Sequence, residues 1–342
     1  MWKGLLLTFV AGAMGGTFPL PMRHMRKWAW ENIWTVWSVV ALIVVPWLMA
    51  FFTVPHLGAV YRESGAGVIL LSSLFGFLWG IAGFLFGLSV ELVGMSLTFA
   101  VVNGLSSAIG SWIPLVVQHP GEILTAGGLI VSAGVVGVVG GVAICSWAGH
   151  LRSKQSSGPA SSQDPVANKP AFWRKLMVPV TAGVLGPCLN LGFAFGQKIS
   201  TAAVNAGSSH AASTNALLAV VLSAGFVSNL GYCLYRLMKN RTARLFAIPE
   251  AGKYLLLGTI MGTLWMVSYS LYGSSISYFG TYGTVVGWPM LMAMITIVSS
   301  LWDIAYGDWT KRPLRIMALG VIVLIGTVGI ISYGMFCLQH VT

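Results

Sequence analysis

The sequence predicts an all-α membrane protein with ten transmembrane helices in two inverted five-helix repeats. Three observations carry that prediction: long apolar runs that do not alternate, a one-sided distribution of basic residues, and short motifs that recur at a fixed offset. Of the 342 residues, 56% are hydrophobic and 8% charged, whereas soluble domains carry about a quarter charged residues. Hydrocarbon offers backbone N–H and C=O groups no partner, so a spanning segment is a helix of about 20 apolar residues or a strand of a closed barrel. Unbroken apolar runs select helices.

In chain order the runs cover 4–22, 32–53, 66–89, 93–117 and 123–149, then 176–197, 213–235, 254–276, 279–302 and 314–337. Leu5–Val10 behind Lys3 has the look of a signal-peptide core, but the apolar run continues past Ala11–Gly12–Ala13 to Met22, which makes it a retained first helix. Residues 150–175 are rich in Ser, Pro and Gln and read as a flexible cytoplasmic linker between a first repeat, 1–149, and a second, 176–342.

The net charge of +11 is a topology signal and implies no nucleic-acid partner. Loops after helices 1, 5, 7 and 9 hold 16 of the 19 Lys and Arg, and only Lys3, Arg62 and Lys198 fall on the other face. Basic residues stay in the cytoplasm, so both termini are expected on the periplasmic or extracellular side of a bacterial inner membrane.

Leu78, Trp79, Gly87 and Gly94 recur as Leu264, Trp265, Gly273 and Gly280 at an offset of 186, and Ala11, Gly12 and Gly15 as Ala182, Gly183 and Gly186 at an offset of 171. An odd number of helices per half makes the repeat inverted, the architecture of carriers that rock one repeat against the other.

Several helix centres hold polar or amphipathic residues: Trp79, Asn103, Asn190, Trp265, Tyr269 and Trp288, with Asn229 lower in its helix. Amides and indole faces suit a small neutral sugar, which needs hydrogen bonds and aromatic surface but no charge. The same side chains also glue helices together, and both readings stand at this point. Tyr272, Tyr278 and Tyr282, and Trp28, Trp30, Trp34, Trp302 and Trp309, fall near helix ends, where an aromatic belt is expected. Ala133, Gly137 and Gly141 form a small-residue stripe for close helix packing.

Acids are limited to Glu31, Glu63, Glu91, Glu122, Asp164, Glu250, Asp303 and Asp308, none at a helix centre. Glu31 and Glu91 lie nearest the hydrocarbon on the cytoplasmic side, and Glu31 is the candidate proton-coupling residue. Its alternative is a carboxylate at the positive start of helix 2, paired with Arg26 or Lys27. No metal site or cofactor is expected: Cys145, Cys188, Cys233 and Cys337 read as packing residues, and His24, His56, His119, His150, His210 and His340 show no ligand spacing. Nucleophile and phosphate-loop motifs are missing from the sequence, so an enzyme is not expected.

Lys27–Trp37 (KWAWENIWTVW), Pro46–Trp47, Leu92–Ser96 (LVGMS), Asn229–Arg236 (NLGYCLYR) and Gly307–Pro313 resemble, in order and spacing over nearly the whole chain, the L-rhamnose–proton symporter family. The resemblance implies the drug/metabolite transporter superfamily, with a central cavity built from helices 1–4 and 6–9, a sugar substrate and proton coupling. It also implies that Glu31, inside the matching segment, is the coupling acid. Gly186–Pro187–Cys188–Leu189–Asn190 departs from the family's Ser/Met-rich stretch, so the expected sugar is L-rhamnose or a similar deoxyhexose. The implied partners are the sugar, protons and the lipid bilayer; the sequence leaves the oligomeric state open. A uniporter or exporter of another small metabolite on the same scaffold is the alternative.

Overall fold

The computed structural model describes residues 2–93, 95–156, 169–307 and 309–340. Gly94, Asp164, Asp308 and linker residues 157–168 lie outside them. Every regular element among the described residues is helical, and the α-helices run α1 (Trp2–Thr17), α2 (Trp30–Val39), α3 (Val45–Thr53), α4 (Leu57–Ser64), α5 (Ala66–Val93), α6 (Met95–Gln118) and α7 (Ala126–Ser156). The second part of the chain adds α8 (Lys169–Leu185), α9 (Cys188–Phe195), α10 (Gln197–Asn205), α11 (Thr214–Asn240), α12 (Ala251–Phe279), α13 (Gly283–Tyr306) and α14 (Lys311–His340).

Nine stretches among the described residues are long and apolar enough to cross a membrane. Large side chains such as Leu6, Phe52, Leu70, Ile322 and Ile325 are mostly exposed, as lipid-facing residues must be. This is a multi-pass membrane protein. Ten runs were expected, and the difference lies in Ala251–Tyr306, which forms one apolar stretch of 56 residues. That stretch holds both α12 and α13, joined by the short turn Gly280–Tyr282, where Gly280 adopts φ +69, a conformation that favours glycine.

Two expected helices are interrupted. The second consists of α2 and α3 joined by a π-helical segment, Val40–Val44, in which the Val45 N–H reaches the Val40 carbonyl. Pro46 follows, and its missing N–H cannot continue the ordinary ladder. The sixth breaks at Gly186–Pro187 between α8 and α9. The short helices α4 and α10 lie in segments read as loops, and α7 and α8 extend into both ends of the expected linker.

The chain forms two compact units, Met1–Ile81 with Cys188–Gly287, and Ala82–Pro187 with Trp288–Thr342. In the first, α1 lies along α12, where Ser268 Oγ donates to the Ala11 carbonyl at 2.6 Å. The first part of α5 crosses α11 so closely that a Cβ on Gly76 would sit 1.9 Å from the Val221 carbonyl oxygen. In the second unit α7 packs along α14 through glycines: a Cβ on Gly137 would meet Thr327 at 2.3 Å, and one on Gly141 would meet Leu324 at 2.7 Å. The small-residue stripe therefore has its partner within the same chain. Cys145, Cys188 and Cys233 are buried and unbridged, as packing residues are.

Candidate functional site

In α2 the residues Trp30, Trp34 and Trp37 recur every three or four positions and so share one face. Trp30 and Trp34 stack with centroids 5.2 Å apart, and Trp34 and Trp37 at 4.5 Å. Trp37 meets Trp265 edge-on at 5.1 Å, and Trp265 stacks on Trp79 at 5.4 Å and touches Tyr269 at 4.3 Å. Three of the residues singled out from sequence, Trp79, Trp265 and Tyr269, thus come together as the end of a continuous aromatic row in the first unit. Asn229 lies beside it. Its carbonyl accepts a long 3.4 Å bond from Trp34 Nε1, and its amide donates to the carbonyls of Gly80 and Gly225 at 3.3 and 3.1 Å.

Asn190, also in the first unit, is fully buried in α9. Its amide donates to the Thr284 carbonyl at 3.0 Å, and its own oxygen accepts from the Tyr272 hydroxyl at 2.5 Å. Asn103 and Trp288 belong to the second unit. Asn103 is half-buried in α6, while Trp288 is buried and donates its indole N–H to the Ser106 carbonyl at 2.9 Å. A Cβ on Gly110 would meet that indole at 2.4 Å, so only glycine leaves room for it.

Glu31, in the first turn of α2, is 1% exposed. One carboxylate oxygen accepts from Asn240 Nδ2 at 2.9 Å and from Thr242 Oγ1 at 2.7 Å, at the point where α11 ends. Asn32 adds a bond from its amide to the Thr242 carbonyl at 3.0 Å. The alternative pairing of Glu31 with Lys27 is not what is found: Lys27 pairs with Glu250. In that exposed pair the hydrogen bond from Lys27 holds the Glu250 carboxyl below its ordinary range, and Glu250 in turn raises the Lys27 ammonium.

The aromatic-belt reading needs correction at several positions. Tyr272 is fully buried against Phe193 and bonded to Asn190, Tyr282 is buried, and Trp28 is buried with its indole donating to the Leu245 carbonyl at 2.8 Å. These residues sit inside the bundle because helix ends here pack on one another. Tyr278 is exposed, as a belt residue would be.

Sequence reasoning did not single out Trp37, Asn215, Asn240 or Thr242. Buried Asn215 accepts from Ser270 Oγ at 2.7 Å and donates to Thr53 Oγ1 at 3.0 Å. The tryptophan spacing in α2 was a usable signal for Trp37. The other three carried none, since each lies where a helix begins or ends. Among the described residues no group of three His, Cys, Asp or Glu side chains is placed to hold a metal ion.

A sequence profile of the L-rhamnose-proton symport protein family matches residues 1–337. The chain belongs to that family. Relatives include L-rhamnose-proton symporters of Cronobacter sakazakii, 25% identical, and of Mannheimia succiniciproducens, 24% identical, each match covering 97% of both proteins. This is a family of transporters, not of enzymes. A chain known from a crystal structure shares the fold, with a TM-score of 0.57 at 12% identity over 96% of this chain and 97% of that one. The family's match takes in the α2 segment with Glu31 and the tryptophan row, and α11 with Asn229.

Proposed function

We propose that this protein takes up L-rhamnose or a similar deoxyhexose across the bacterial inner membrane by proton symport with alternating access. The observation that carries the reading is the family match over residues 1–337, joined by relatives named L-rhamnose-proton symporters that align from end to end. Those names give no support to an exporter or uniporter.

Ten crossings in two inverted five-helix repeats fit this function, with α12 and α13 counted as separate crossings. Pairing within the units supports the repeat. A two-fold relation brings equivalent elements together where they approach its axis. The second expected helix packs on the seventh (α2 on α11), the third meets the eighth where Trp79 stacks on Trp265, and the fifth packs on the tenth (α7 on α14). Trp79 and Trp265 are also the residues matched by the offset of 186. The basic loops favour both termini outside and the linker in the cytoplasm.

Within the first unit the Trp79, Trp265 and Tyr269 rings offer a sugar an aromatic platform, and the Asn190 and Asn229 amides offer hydroxyl partners in exchange for their present ones. Asn103 and Trp288 are candidate contacts to be tested singly. Glu31 is the proton-coupling acid, read by Asn240 and Thr242 at the end of α11. Purified protein in proteoliposomes tests the function: labelled L-rhamnose should accumulate under an inward proton gradient and only equilibrate without it. Equal uptake in both conditions, or none, would reject symport of this sugar.

A further inference from the structure

We infer that the indole N–H of Trp37 is a hydrogen-bond donor to the transported sugar, fixing one hydroxyl beside the faces of Trp265, Trp79 and Tyr269. The inference rests on the sugar-carrier reading above and adds a specificity-determining contact to it. Trp37 is 3% exposed, and its Nε1 is sealed from solvent with no protein acceptor. Four other indoles, Trp28, Trp34, Trp47 and Trp288, donate to a carbonyl, amide or hydroxyl, and Trp37 Nε1 is the one tryptophan nitrogen among the described residues that is sealed from solvent without a partner. A buried donor left idle destabilises the fold, and it calls for an explanation.

Several buried hydroxyls, including Ser38, Ser72 and Thr284, also lack a partner. A hydroxyl can turn toward a carbonyl of its own helix, whereas an indole N–H is fixed in the ring plane and only donates. Trp37 therefore has a direction that its surroundings leave unused. The rings that pack against it are Trp34 at 4.5 Å, Trp265 at 5.1 Å and Phe18 at 6.2 Å between centroids, all uncharged. The nearest acid on the same helix, Glu31, is six positions away, about 9 Å along the axis. An uncharged ligand with C–H faces for the rings and a hydroxyl oxygen to accept the N–H matches this environment; an anion finds no positive partner among these rings, and a cation has no lone pair for the N–H. For the hydroxyl to reach Nε1 a neighbouring ring edge must swing aside as the carrier changes conformation.

The experiment measures sugar binding to detergent-purified protein by calorimetry. It uses the parent, Trp37→Phe, and a form with Trp37 replaced by 3-benzothienylalanine, which keeps the ring size and puts sulfur where the N–H was. L-rhamnose and its 2-, 3- and 4-deoxy analogues are the ligands. The sulfur form should bind L-rhamnose about 2- to 13-fold more weakly than the parent, the ratio for one net hydrogen bond. One deoxy analogue should lose affinity in the parent and lose no more in the sulfur form. Should Trp37→Phe fail to fold, the sulfur form carries the test. Equal affinity of parent and sulfur form, or the same deoxy penalties in both, would overturn the Trp37 contact and leave the sugar carrier intact. A parent that binds L-rhamnose not at all would instead sink the carrier reading itself.

Discussion

The α2–α11 and α7–α14 interfaces each join a helix from the first half of the chain to one from the second, and they do so by opposite chemistry. Between α2 and the end of α11 lie a buried carboxylate, two side-chain donors and an indole–amide bond. Between α7 and α14 glycines bring the backbones together, with Gly134, Gly137, Gly141, Gly320 and Gly334 all in sub-van der Waals reach of the opposite helix if given a Cβ. In a bilayer, helices associate by packing and by interhelical hydrogen bonds, and this molecule uses one means at each place. Polar groups are costly there, so an interface that keeps them is the place to look for function. The glycine interface is, by the same argument, expected to act as a scaffold.

Substitutions can break this contrast. The largest effect is expected at Gly76, where the first part of α5 crosses α11. A Cβ 1.9 Å from the Val221 carbonyl oxygen meets backbone that cannot give way. Gly76→Ala should yield no monodisperse protein on size-exclusion chromatography, and a normal elution profile would show that α5 and α11 do not cross so closely. Asn229→Ala comes next. It removes the acceptor of Trp34 and the donor to two carbonyls, at a cost of about 1–3 kcal/mol, and it should raise the KM for sugar uptake as well as lower the thermal midpoint.

Gly137→Ala sharpens the comparison from the other side. Its Cβ would press on Thr327 at 2.3 Å, a side chain that can shift, so the stability loss should also be about 1–3 kcal/mol. Here KM should stay at the parent value; a changed KM would make α7–α14 more than a scaffold. The smallest effect is expected at the exposed Lys27–Glu250 pair. Glu250 has a lowered folded pKa, so its contribution is present above the ordinary carboxylate value of about 4.3 and lost only as pH falls further. Lys27 has a raised one, so its contribution is present below about 10.4 and lost only at higher pH. Lys27→Ala should therefore leave the shape of the stability profile between about pH 6 and 8 unchanged, as an exposed ion pair implies.

The helices were legible because apolar length is set by the bilayer, and Trp79 and Trp265, which stack in the structure, were marked in the sequence by the motif that recurs at an offset of 186. The break between α12 and α13 was read about three residues early, at 276–279 and not at Gly280–Tyr282, since no charge marks the turn. The partners of Glu31 could not be read at all. Asn240 and Thr242 lie over 200 positions further along the chain, in a loop whose composition signals only its basic charge. The buried environment of Tyr272 was hidden for the same reason: position near a helix end does not say whether that end faces lipid or another helix.

We propose that the polar seam between α2 and α11 couples the proton to the sugar through Glu31. Glu31→Gln keeps the shape of the side chain and mimics its protonated form. In proteoliposomes this variant should exchange L-rhamnose across the membrane at close to the parent rate, yet build up no sugar gradient when an inward proton gradient is imposed. Accumulation equal to the parent would contradict the account.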